Sequence, residues 1–169
     1  MIEQKVLFSP EECHKIKTEN LVIYPPIEDK EWWASHSVND KFKNKQEYEI
    51  SNIDSRKFIL SKVKELGVNS LPYYKVIHYT QGGYFNPHID AGWNNPIRRK
   101  TMLIQLSSEN EYQGGNMYVK DTLFTKQLGN VILFDSNITH ELKVVESGDR
   151  FVMVCWLGAG NLDIKKDFI

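Results

Sequence analysis

The sequence predicts a mainly β (α+β) domain in which N-terminal helices support a closed or two-layered sheet. Three observations predict it. Helix signals are confined to about residues 1–70. From Leu71 onward, short runs rich in β-branched and aromatic residues follow one another, separated by the turn sequences "QGG", "YQGG", "QLGN" and "ESGD". Helices first and strands afterwards argue against alternating βαβ units. Six or more short antiparallel strands point to a double-sheet jelly roll or a barrel.

The 169 residues suit one domain with a sizeable core, divided into helical support over about 1–70 and a β core over about 71–160. A content of 41% hydrophobic and 25% charged residues is that of an ordinary globular chain, which excludes a disordered one. The net charge of −1 counts against a broad nucleic-acid footprint. Two local basic clusters, "KFKNK" at 41–45 and Arg98-Arg99-Lys100, read as solvated faces. Two cysteines, Cys13 and Cys155, make neither a metal-type pair nor a disulfide framework, so a reducing compartment is the simplest expectation. The N-terminus has no basic segment followed by a long apolar run, and no stretch of 18 apolar residues occurs. These features predict a cytoplasmic location, with no leader and no membrane partner.

"SPEEC" at 9–13 is a helix start. Ser9 is the N-cap, Pro10 takes the first helical position and Glu12 completes a capping box. The helix is expected to run to about Thr18, and the segment from Val22 to Val38 has no clear assignment. "DSRKFILSKVKELGV" at 54–68 is the clearest helix, with Asp54 as cap and Gly67 as stop. Its apolar stripe is Phe58, Ile59, Val63 and Leu66. Strands are expected at "PYYKVIHY" (72–79), "KTMLIQLS" (100–107), "GNMYVK" (115–120), "GNVILF" (129–134), "HELKVV" (140–145) and "RFVMVCWL" (150–157).

Within this frame, "NPHIDAG" at 86–92 sets His88 and Asp90 two residues apart. On a helix they would diverge, but on an extended segment they share a face. A third ligand must then come from elsewhere in the sheet, and His140 is the candidate. Leu142 and Val144 alternate with Glu141 and Lys143, which points His140 inward with the apolar residues. A lone inward histidine reads first as a hydrogen-bonded core residue. Two histidines and a carboxylate, however, are the ligand set of non-haem Fe(II) oxygenases, with coordination positions left open. A catalytic zinc with three protein ligands stays open on this evidence.

Arg150 narrows the choice. It shares a strand face with Val152, Val154 and Trp156. An arginine facing a core needs an anion, because an unpaired buried charge is costly. Its planar guanidinium matches a carboxylate bidentately. A dicarboxylate ligand would satisfy both ends, one carboxylate toward the metal and the other on Arg150. The alternative is a surface arginine at a hairpin mouth.

"HYTQGGYFNPHID", "QGGNMYV" and "LGNVILFDSNITHELKVVESGDRFVMVCW" together resemble the prolyl 4-hydroxylase-like branch of the Fe(II)/2-oxoglutarate-dependent dioxygenases. The resemblance covers roughly residues 71–157, with every motif in family order. A tyrosine and glycines precede the HxD pair, a double-glycine strand follows, and a basic residue stands ten positions after the distal histidine. It implies a double-stranded β-helix, a jelly roll supported by helices. It implies His88, Asp90 and His140 as iron ligands and Arg150 as partner of the distal 2-oxoglutarate carboxylate. Tyr79 matches a tyrosine that often joins Arg150 on that carboxylate, and Gln105 matches another polar contact to the co-substrate. Trp156 is expected to wall the iron pocket. His78, next to Tyr79, should face away, His14 and His36 should be surface residues, and Cys155 a buried small hydrophobe.

The implied cofactors are Fe(II) and 2-oxoglutarate, with ascorbate open as an accessory. The implied reaction hydroxylates a C–H bond with dioxygen and releases succinate and carbon dioxide. No Ser/His/Asp or Cys/His triad argues otherwise. A prolyl residue in a protein or peptide is the default substrate, and a free amino acid or small metabolite the alternative. Many collagen-type members carry lysine where this chain has Arg150, which counts against collagen. Trp32, Trp33 and the loop at 91–100 are candidate substrate walls. A nucleic-acid dealkylase usually carries a second arginine soon after the first, whereas Arg150 is the last arginine here. A non-catalytic cupin-like metal-binding module is the rival from a different class, and it would not need Arg150 in the pocket. The oligomeric state is left undetermined.

Overall fold

The computed structural model describes residues 2–18, 21–24, 42–92 and 96–163. Trp32, Trp33, His36 and Trp93 lie outside these residues. In order, the elements are β1 (Ile2–Val6), α1 (Pro10–Thr18), β2 (Leu21–Tyr24), β3 (Phe42–Ile50), α2 (Ile53–Val63) and β4 (Tyr73–His88). The chain continues through β5 (Lys100–Gln105), β6 (Tyr112–Gly114), β7 (Met117–Val119), β8 (Thr122–Phe124) and β9 (Asn130–Asp135). It ends with β10 (His140–Leu142), β11 (Val145–Gly148) and β12 (Arg150–Leu157).

Helix α1 begins as its sequence dictates. The Ser9 amide donates to Glu12 Oε1 at 2.8 Å, and the Glu12 amide donates to Ser9 Oγ at 3.2 Å. This is the reciprocal capping box. Helix α2 starts earlier than expected. Asn52, not Asp54, is the cap, and its Oδ1 accepts from the amides of Asp54 and Ser55. Asp54 lies in the first turn, where its charge still favours the positive end of the helix dipole. A 3₁₀ turn, Lys64–Leu66, closes α2 before Gly67. Of the expected stripe, Ile59, Val63 and Leu66 are buried, while Phe58 is exposed.

All strand pairings are antiparallel, and the main sheet runs β1-β9-β5-β12-β4-β10-β7-β8, with β3 and then β2 added beside β4. A small second sheet joins β11 to β6. Strand β4 organises the fold. One of its edges pairs with β12 along Tyr73–Tyr79 and then with β10 at Phe85 and His88. The other edge takes β3. The change of partner coincides with Gly82, at φ +83°, inside the "QGG" that reads as a turn. The strand does not turn there. It bulges opposite Asn44, whose side chain donates to the Gln81 carbonyl at 2.8 Å.

The pleat divides the apolar residues into two cores. Met102 and Ile104 of β5 and Met153, Cys155 and Leu157 of β12 face Cys13, Ile16, Ile59 and Val63 of the helices. Leu103, Val152 and Val154 face the interior with Met117, Phe134 and Leu142. Cys155 is fully buried among the first set, as its alternation requires. The fold is the mainly β jelly roll with helical support.

Three features depart from the sequence reading. The N-terminal region carries strands β1, β2 and β3 besides its helices. Strand "HELKVV" breaks after Leu142, so Val144 is exposed and Val145 buried, the reverse of strict alternation. The cause is the closure of the double-glycine hairpin: the Gly115 amide bonds the Val144 carbonyl at 2.8 Å and turns that residue outward. The short strands β6 and β8 also have no counterpart among the expected elements.

Candidate metal centre and co-substrate cavity

His88 ends β4 and His140 begins β10, and the two are direct cross-strand partners. Asp90 follows β4 by two residues, tethered where its amide and that of Ala91 both donate to the Ser136 carbonyl at 2.9 Å. The pleat points both imidazoles inward, and the three ligand atoms lie within 4.8 Å of one another. His88 Nε2 is 3.5 Å from Asp90 Oδ1, and His140 Nε2 is 3.4 Å from Asp90 Oδ2.

Each ring has its tautomer set from behind. His88 Nδ1 sits 2.7 Å from the Asn86 carbonyl, and His140 Nδ1 sits 3.0 Å from the Ile138 carbonyl. A carbonyl only accepts, so Nδ1 carries the proton and Nε2 offers its lone pair to a metal. Phe85 stacks on His88 with ring centroids 3.8 Å apart, and Phe134 packs edge-on to His140 at 5.0 Å. These contacts fix the ring planes. The carboxylate is fixed by Thr101, whose hydroxyl donates to Asp90 Oδ2 at 2.8 Å and lies 3.0 Å from Ser136 Oγ.

Burial pushes the Asp90 carboxyl up, but a proton on the His140 or His88 Nε2, in the place a metal would take, and the Thr101 hydroxyl outweigh it. The carboxyl is held well below the usual carboxylate range, so it is ionised and ready to ligate. One anionic oxygen donor and two neutral imidazoles suit a divalent first-row metal, with coordination positions left open.

A cavity of about 250 Å³ joins this cluster to Arg150, Tyr79, Leu103, Met117, Val152, Val154 and Trp156. Arg150 is 2% exposed. Its Nη2 reaches only the Met117 thioether, at 3.7 Å, and its Nε has no hydrogen-bond partner among the described residues. The guanidinium stands 5.7 Å from the Tyr79 ring centroid, and the two residues pair across β4 and β12. Burial drives the Tyr79 hydroxyl up, so it remains a donor. A buried arginine with an orphaned N–H, beside a phenol and in one cavity with a metal-type cluster, fits a dicarboxylate anchored at its far end.

Gln105 is also buried, but it does not line the cavity. Its amide donates to the Ser107 carbonyl and to the Tyr112 hydroxyl, each at 2.8 Å. His78 faces away from the site, stacked on Phe151 and 2.7 Å from Asp149. His14 is exposed.

Three contributors, Thr101, Lys45 and Glu47, escape the sequence reading, whereas Arg98 belongs to the loop expected to wall the substrate. Thr101 could have been found as the one hydroxyl on β5, two residues before Leu103 on the inward face. Lys45 and Glu47 line the cavity, and their ion pair of 3.0 Å is shared with Lys75 at 2.9 Å from Glu47. The cluster "KFKNK" is therefore not simply a solvated face, since Lys45 lies over the Phe85 ring at 5.0 Å. Arg98 likewise lines the cavity, its guanidinium 4.2 Å above the Trp156 ring, and Lys100 is buried against Asp135 at 2.6 Å. Only Arg99 of that triplet is exposed. Arginine and lysine bury their stems readily when a ring or a carboxylate receives the head.

The chain is similar to known proteins in sequence and in fold. Residues 74–158 match the family model described as the 2OG-Fe(II) oxygenase superfamily. A PKHD-type hydroxylase of Prochlorococcus marinus (strain MIT 9211) is 27% identical over 171 residues, covering 89% of this chain and 75% of the relative. The solved prolyl-4-hydroxylase of Pseudomonas putida superposes with a TM-score of 0.63 at 13% identity, covering 93% of this chain and 91% of the other. A Trichoplax adhaerens prolyl hydroxylase, solved with a hypoxia-inducible factor peptide fragment, gives 0.64 at 15% identity, with coverages of 95% and 83%. The matched region spans β4 to β12, which carries all three ligand candidates and Arg150, and the chain thus belongs to the 2OG-Fe(II) oxygenase superfamily, as a dioxygenase with the fold of the prolyl 4-hydroxylases.

Proposed function

We propose that the protein hydroxylates a prolyl residue in a protein or peptide, using Fe(II) held by His88, Asp90 and His140 and 2-oxoglutarate held by Arg150. The observation that carries this reading is the orphaned guanidinium of Arg150 on the wall of the same cavity as the histidine–aspartate cluster. A metal-binding module without catalysis has no use for it. Bound iron, 2-oxoglutarate and dioxygen supply the oxidation, which consumes the co-substrate to succinate and carbon dioxide and hydroxylates the C–H bond.

The residues of the chain position and exclude. Arg150 would hold the distal carboxylate through its guanidinium, and the Tyr79 hydroxyl would donate to the same group. Val152, Val154, Leu103 and Met117 would give the co-substrate apolar walls, which would strengthen that ion pair once the ligand displaces water. Thr101 holds the Asp90 carboxylate against rotation. Lys45 and Arg98, at the cavity, are set to meet the substrate.

The test is an anaerobic titration of 2-oxoglutarate into Fe(II)-loaded protein, followed by the metal-to-ligand charge-transfer absorption. The band is expected in the wild type, absent in His140→Ala and shifted to much higher 2-oxoglutarate concentration in Arg150→Ala. A folded, iron-loaded wild type with no band would overturn the reading.

A further inference from the structure

The cavity is too small for a large substrate. At about 250 Å³ it lies below the range of roughly 300–1,000 Å³ usual for sites that enclose a ligand. On the reading above, 2-oxoglutarate takes part of that space. The rest admits about one side chain, so the remainder of the substrate has to lie outside.

Outside the cavity runs a groove of about 420 Å³ over β3, β4, β12 and the side of α2. Arg98 and Trp156 line both the groove and the cavity, so the two spaces meet at their stack. Arg56, from α2, also lines the groove. Arg56 donates to the Tyr74 hydroxyl at 3.3 Å, and Arg98 donates only a long 3.5 Å bond to the Asp90 carbonyl. Among the described residues, neither guanidinium has a carboxylate at ion-pair distance. Lys75 adds a third cation, tied to Glu47, and Glu49 is the one acid among the described groove residues. The indole N–H of Trp156 is buried without a partner among the described residues, a donor without an acceptor at the junction.

The geometry points to an acidic polypeptide as the substrate: one residue enters the cavity while flanking aspartate or glutamate side chains lie along the groove against Arg98 and Arg56. This deepens the prolyl-hydroxylase reading and rests on it. Two arginines with no carboxylate partner among the described residues, on the path out of a one-residue cavity, select a chain that carries negative charge beside the reacting residue. A free anionic amino acid would reach Arg98 but would leave Arg56 unused.

The test uses anaerobic protein loaded with Fe(II) and 2-oxoglutarate. Binding is read by fluorescence anisotropy with labelled ten-residue peptides that carry a central proline. One set has aspartate or glutamate at each flanking position in turn, and its counterpart has asparagine or glutamine there. The acidic set is expected to bind about tenfold tighter at low salt, and the preference should shrink as salt is raised. Arg56→Gln and Arg98→Gln are each expected to cut the preference by roughly threefold, within the span of a rim ion pair, with Arg56→Lys retaining most of it. Equal binding of acidic and amide peptides, or a preference untouched by both arginine variants, would overturn the proposal. So would binding of free acidic amino acids with no peptide bound. The charge-transfer band, recorded on the same samples, separates these outcomes from a failure of the oxygenase reading itself.

Discussion

Replacing Arg150 by leucine should shift co-substrate binding to much higher concentration without destabilising the ligand-free protein. The guanidinium is buried, reaches the Met117 thioether and faces the Tyr79 ring, and its Nε has no hydrogen-bond partner among the described residues. Stranding an uncompensated charge inside a protein costs about 3–5 kcal/mol. The cavity admits water, which offsets part of that cost, and leucine gives up some of the packing of the arginine stem. The net change in the ligand-free protein should therefore fall between about 0 and +2 kcal/mol of added stability. Ligand reverses the order. At 2-oxoglutarate concentrations one hundred times its dissociation constant, binding adds about 2.7 kcal/mol to the wild type. For a chain of this length that raises the midpoint by roughly 5–11 °C. The variant should show no rise. The assay is thermal unfolding of anaerobic, metal-loaded protein with and without 2-oxoglutarate, followed by circular dichroism. If Arg150→Leu loses more than about 2 kcal/mol without ligand, the arginine is a structural residue. If the variant still gains stability from 2-oxoglutarate, the anchor lies elsewhere. Either result refutes the argument.

Other predictions follow from the same contacts. Thr101→Val removes the donor to Asp90 Oδ2 at constant shape and should weaken Fe(II) binding by about 10–100-fold, measured by competition with a chromogenic chelator. Glu47 is held below its usual range, because the charges and hydrogen bonds of Lys45 and Lys75 overcome the upward push of burial. A depressed carboxyl stabilises the fold above its unfolded value and loses that contribution as pH falls. The midpoint gap between wild type and Glu47→Gln should thus be full above about pH 5 and close as acid titrates the group below about 4.3; a gap constant down to pH 3 would contradict this. Gly129→Ala should cost about 3 kcal/mol or more in a denaturant titration, since φ is +83° and the added Cβ would meet the Phe8 carbonyl oxygen at 1.9 Å.

The sequence reveals the centre of this protein better than its rim. Period-2 alternation and fixed spacing along β4, β10 and β12 are enough to bring His88, Asp90, His140 and Arg150 to one interior, because a strand faces one way every second residue. The capping box at Ser9 is legible for the same local reason. Strand β3 is not, since its polar run "KNKQEYE" looks solvated unless Lys75, on the neighbouring strand, is known to complete the charge on Glu47. Arg98 is similarly opaque: its burial depends on Trp156, which lies far along the chain. Gln105 shows a third limit. Its inward parity is readable, but the Tyr112 hydroxyl that takes up its amide comes from another strand. Val144 and Val145 exchange sides because a glycine hairpin closes on them, an event invisible to alternation.

The cross-strand pairing of His88 with His140 also bears on how the protein is made. The two histidines are separated by about fifty residues of chain, and neither can hold a metal with Asp90 until β10 docks on β4. A ribosome that has released the HxD segment has not yet released a metal site. With the ligand set proposed above, iron acquisition would be a late event, which reports that both halves of the jelly roll have closed. A chain that misses that closure carries no competent centre at which to bring iron and dioxygen together, so the order of assembly itself limits stray oxidation.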